Sequence, residues 1–71
     1  MTSSSEALKV YRSYKVKAER QGWRVEDLSK GWKFSPPDRS LPFVTLHKTP
    51  SDWRWFQNFR TAMRRSGFRE E

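Results

Sequence analysis

The chain has 71 residues, 32% of them charged and 34% hydrophobic, a length that supports one small core and excludes a large cofactor-binding fold. Four Trp, five Phe and two Tyr exclude the aromatic-poor composition of a disordered segment. Fifteen Lys and Arg against eight Asp and Glu leave a net charge of +7, which points to a polyanionic partner, while the lack of Cys excludes disulfides and thiolate metal sites.

Met1–Ser5 reads as a flexible lead-in, with Ser3, Ser4 or Ser5 as helix cap and Glu6 favourable in the first turn. Glu6 to Gln21 contains no Pro or Gly, and Ala7, Tyr11, Tyr14 and Ala18 follow the spacing of one helical face. Lys9, Arg12, Lys17 and Arg20 fall elsewhere on that helix. Gly22 is its expected stop, since a left-handed residue commonly ends a helix.

Three short strands are expected next. Trp23–Leu28 places Trp23 and Val25 on one side, and Ser29-Lys30-Gly31 is turn-like. Trp32-Lys33-Phe34 alternates apolar and charged, and Phe43-Val44-Thr45-Leu46 forms the third strand, after the loop Ser35–Ser40. Pro42 sits just ahead of that strand, where a missing N–H does least harm.

Thr49-Pro50-Ser51-Asp52 is a helix start, with Thr49 as cap, Pro50 in the first position and Asp52 completing a capping-box-like arrangement. The helix is expected to run to Ser66, stop at Gly67 and fold Phe68 back onto the core. Its inward stripe is Phe56, Phe59 and Met63, widened by Trp55 and Ala62. Tyr11, Tyr14, Trp23, Trp32 and Phe34 complete the expected core.

The order is thus α-β-β-β-α, an α+β fold with a three-stranded antiparallel sheet and two helices packed on one face. Residues 6–68 form the single domain, between a flexible 1–5 and a tail at 69–71. No apolar run is long enough to cross a bilayer and nothing reads as a signal peptide, so a soluble cytoplasmic protein is expected. The first helix has only a weak amphipathic signal, so no membrane partner is expected.

Gly22-Trp23, Gly31-Trp32-Lys33-Phe34, Pro36-Pro37-Asp38 and Thr49-Pro50-Ser51-Asp52, followed by Arg60, Arg64-Arg65 and Gly67, carry a family resemblance. Taken in this order, they resemble the HicA family, the toxin half of a bacterial toxin–antitoxin pair with relatives in phage genomes. The resemblance covers about Ala7 to Phe68. It implies a double-stranded-RNA-binding-domain-like fold and metal-independent mRNA cleavage by a His on the second strand. In this chain the matching position is Gly31, which has no side chain to move a proton. The resemblance also implies a protein partner, antitoxin-like or, for a phage-type protein, from the host.

If inward Trp32 and Phe34 oppose inward Leu46 and Val44, Gly31 pairs with His47, since a slip of one residue would turn Val44 and Leu46 to solvent. His47, the single His, is therefore the candidate catalytic group, for an imidazole suits proton transfer near neutral pH better than an ammonium such as that of Lys33. The plain alternative is a polar surface residue at a strand end. Lys30, Lys33 and Lys48 are expected to flank Gly31 and His47, either holding a phosphate or deterring edge-to-edge strand pairing.

On the last helix, Arg54, Asn58, Thr61 and Arg65 fall opposite the apolar stripe, with Arg64 nearby. They form either a nucleic-acid contact or a solvated face. Trp53, off the stripe, is expected to cover an end of the sheet, with stacking on an unpaired base as the alternative. The leading expectation is a nucleic-acid-binding module, RNA preferred over DNA, without nuclease activity, cofactor or metal. A His47-dependent endoribonuclease and a protein-binding factor are the alternatives.

Overall fold

The computed structural model describes residues 4–48 and 53–70, in the order α1 (Ser4–Arg20), β1 (Arg24–Asp27), β2 (Gly31–Ser35), β3 (Val44–His47) and α2 (Trp55–Arg65). The α+β reading and its α-β-β-β-α order hold. The strands form one antiparallel sheet with β2 in the centre.

Helix α1 lies on the sheet through the face marked by the 4-3-4 spacing. Ala7 and Ala18 are fully buried and Tyr11 and Tyr14 half-buried. The two alanines let the helix backbone approach the sheet, while the tyrosines reach between them into the core. Both helices then end in the same way. Gly22 (φ 87°) and Gly67 (φ 91°) turn left-handed, and the next residue donates its N–H back five positions, Trp23 to Ala18 at 2.9 Å and Phe68 to Met63 at 3.0 Å. Gly22 also donates to Glu19 and Gly67 to Arg64, so carbonyls of the last turn, Ala18 and Glu19 in α1 and Met63 and Arg64 in α2, gain partners.

The β1–β2 register pairs Val25 with Phe34, and the β2–β3 register pairs Trp32 with Leu46, Phe34 with Val44 and Gly31 with His47. Alternation therefore sends Phe34, Trp32, Val44 and Leu46 into the core and Lys33, Thr45 and His47 to the other face. The core is a chain of rings. Tyr11 stacks on Trp32 at 4.1 Å, Phe34 meets Phe59 edge-on at 5.3 Å, and Tyr14 touches both Phe59 and Phe68. Such pairs add about 0.5–1.5 kcal/mol each beyond their burial, a large share of what holds so small a domain.

The β2–β3 connection is shaped by Asp38, whose carboxylate accepts from both the N–H and the hydroxyl of Ser40. Those two bonds hold the Asp38 carboxyl below its ordinary range. Near its end, Pro42 accepts a 2.7 Å hydrogen bond from the hydroxyl of the buried Ser66. Beyond α2, Arg69 and the Gln21 side chain exchange two hydrogen bonds, and Arg60 grips Glu70 through two more.

Several expectations change. Thr49–Asp52 lies outside the described residues. Trp53 and Arg54 form a turn, and the helix itself begins at Trp55. Phe56 is not a core residue but 39% exposed, leaning edge-on against Tyr14. The buried positions of α2 are Phe59 and Met63, with Ser66 just beyond, so its C-terminal half carries the packing. Phe43 precedes β3 rather than opening it, and it is exposed.

Candidate nucleic-acid interface

The exposed face of α2 carries Asn58, Thr61, Arg64 and Arg65, with Arg54 in the turn ahead of it. The Arg54 backbone carbonyl accepts from the Asn58 N–H at 2.9 Å, which aligns that turn with the helix. Among the described residues, no hydrogen bond or ion pair occupies the side chains of Asn58, Thr61, Arg64 or Arg65. Arg60, on the same helix, is already spent on Glu70 at 2.6 Å. That pair raises the Arg60 pKa and lowers that of Glu70.

These side chains border a groove of about 490 Å³ between α2 and the start of β3, lined by Asn58, Thr61, Ala62 and Arg65 on one side and Pro42 and Phe43 on the other. A smaller hollow bounded by Thr61, Arg64 and Arg65 shares two of these residues. Phe43 is 57% exposed on the groove wall, and the Lys33 ammonium lies 4.5 Å from the centre of its ring. The Ser66–Pro42 hydrogen bond joins the two walls at the end of α2.

The second candidate region lies on the open face of the sheet. The register sets Gly31 opposite His47, and His47 is exposed. Gly31, by contrast, is buried, and a Cβ built on it would overlap the Leu46 carbonyl oxygen and come 3.1 Å from His47 Cα. Position 31 is therefore a close approach of two strand backbones, with no space for a side chain. The His that the family resemblance implies at this position would force β3 away from β2.

The three lysines do not assemble into one cluster. Lys30 is exposed in the β1–β2 turn, and its carbonyl accepts from the Lys48 N–H. Lys33 shares the open face with His47 but is drawn to Phe43. Lys48, one residue past His47, turns to the other side, where it pairs with Asp27 at 3.0 Å and sits over the Trp32 ring. A lysine already neutralised by a carboxylate is a poor phosphate ligand, so Lys48 leaves the set expected around Gly31 and His47.

Trp53 does not cover the sheet. It is 77% exposed, with the Arg54 guanidinium 5.1 Å from its ring centre. Phe43, placed by the sequence reading at the start of the third strand and given no functional role, stands exposed on the groove wall.

Among the described residues no group of three or more His, Asp or Glu is placed to hold a metal ion, and no helix is long and apolar enough to cross a membrane. No protein-family model matches the chain, and neither a curated protein nor a solved structure matches it significantly.

Proposed function

We propose that this protein is a nucleic-acid-binding module, selective for RNA over DNA, which holds its ligand along the exposed face of α2 without cleaving it. The observation that carries the reading is the row Asn58, Thr61, Arg64 and Arg65, polar side chains without an intramolecular hydrogen bond or ion pair among the described residues, in a chain of net charge +7. Guanidinium groups suit phosphate oxygens, and an amide and a hydroxyl beside them can serve a ribose 2′-OH, the group that separates RNA from DNA. The resemblance to HicA toxins favours the same polymer and a cytoplasmic location. The test is fluorescence anisotropy with matched RNA and DNA oligonucleotides. RNA is expected to bind more tightly, and Arg64→Glu with Arg65→Glu to abolish binding. Equal binding by that double variant rejects the reading.

One observation favours a second reading, a metal-independent endoribonuclease. The strand register brings the single His of the chain, His47, opposite the position that the resemblance makes catalytic. On this reading a labelled RNA is cut in the presence of a chelator, and His47→Ala stops the cutting. On the leading reading both proteins leave the RNA intact.

A further inference from the structure

We infer that the groove between α2 and Pro42–Phe43 receives one unpaired nucleotide of a single-stranded RNA, its base lying against the Phe43 ring. This deepens the nucleic-acid reading above and rests on it.

The argument starts from Phe43. Every other Phe of the described core finds ring partners, and even Phe56 leans on Tyr14 and Trp55. Phe43 has none among the described residues. It stands 57% exposed on a groove wall, with the Lys33 ammonium 4.5 Å from its ring centre. An apolar ring held out of a core that needs every large side chain is available as a platform, and a nucleobase covers such a ring whatever its sequence.

The opposite wall supplies complementary groups. The Asn58 amide both donates and accepts, which matches the edge of a base, and Thr61 does the same through its hydroxyl. Arg65 closes the groove with a guanidinium suited to a phosphate, and the adjoining hollow adds Arg64 one step along the helix. A groove of about 490 Å³ has the dimensions of a small-ligand site, far below those of a duplex. The Ser66–Pro42 hydrogen bond holds its walls together before any ligand arrives.

This arrangement discriminates by strandedness. In a duplex each base is paired and stacked, so its face cannot reach Phe43 and its edge cannot reach Asn58. A duplex engages the arginines alone, and a single strand adds the stacking contact.

The experiment compares a labelled single-stranded RNA of twelve nucleotides with its fully paired duplex, using the full chain and the variants Phe43→Ala, Phe43→Trp and Arg65→Glu. The single strand is expected to bind about tenfold more tightly than the duplex, the order of one base–aromatic stack. Phe43→Ala removes that advantage and leaves duplex binding unchanged, and Phe43→Trp restores it, which separates stacking from any loss of folding. Unaltered single-strand binding by Phe43→Ala, or an equal loss on both ligands, overturns the base pocket. If Arg65→Glu still weakens both ligands in that case, the nucleic-acid reading survives. Failure of the wild-type chain to bind either ligand overturns both.

Discussion

Trp23 and Phe68 meet edge to face with ring centres 6.0 Å apart, and each occupies the same place in a helix ending, one residue beyond a left-handed glycine. The two helix stops are thus packed on one another, so each glycine serves the core as well as its own helix.

Gly67→Ala is expected to lower stability by about 1–2 kcal/mol, the cost of a left-handed backbone for a residue with a Cβ. The added methyl would itself meet only Leu41, at 3.4 Å. The loss is therefore conformational. It should appear as a lower urea midpoint with RNA affinity unchanged under folding conditions.

Gly31→Ala addresses a different constraint. Here the backbone is ordinary and the obstacle is the Leu46 carbonyl. Separating β2 from β3 is expected to cost about 3 kcal/mol, the upper part of the range for overpacking. Gly31→His should fare no better. A urea midpoint equal to wild type in either variant would show that β3 yields easily.

The Arg60–Glu70 pair makes stability depend on acid. Its hydrogen bonds hold the Glu70 pKa below the ordinary 4.5, so the folded state prefers the carboxylate. The contribution is present above that ordinary value and is lost as pH falls through the lower folded-state value. Glu70→Gln should flatten part of the acid limb in urea titrations from pH 7 to 3. Tyr14 acts at the other end. Burial, aided by Glu70, raises its pKa above 10.0, so its contribution is lost as pH rises through the folded-state value. Tyr14→Phe should remove that alkaline loss.

Salt dependence counts the phosphates held. Arg64 and Arg65 border the groove and its neighbouring hollow, Lys33 lies against the Phe43 ring, and a single strand releases about 0.7 counterion per phosphate neutralised. The slope of log affinity against log salt is then expected near about −2 for single-stranded RNA. Arg65→Gln should make it shallower by about 0.7. A slope unaltered by that substitution places the phosphate elsewhere.

The local features of this protein were legible because they depend on near neighbours. The spacing of Ala7, Tyr11, Tyr14 and Ala18 marked the buried face of α1, and Gly22 and Gly67 marked the helix ends. Alternation in Trp32-Lys33-Phe34 and Val44-Thr45-Leu46 was enough to pair Gly31 with His47, since any slip by one residue exposes the apolar set. What tertiary structure alone decided is which of the outward residues meet. The groove's walls are joined by Ser66 bonding Pro42 across 24 positions of sequence, and α2 packs through its C-terminal half, leaving Phe56 39% exposed. Lys48 is withdrawn by Asp27 from the far end of the neighbouring hairpin, and Gly31 is closed off by a backbone oxygen of β3. Periodicity tells a residue which side of its own element it occupies. Its neighbour on that side is set by how the elements pack, and at Gly31 that packing left room for a glycine alone.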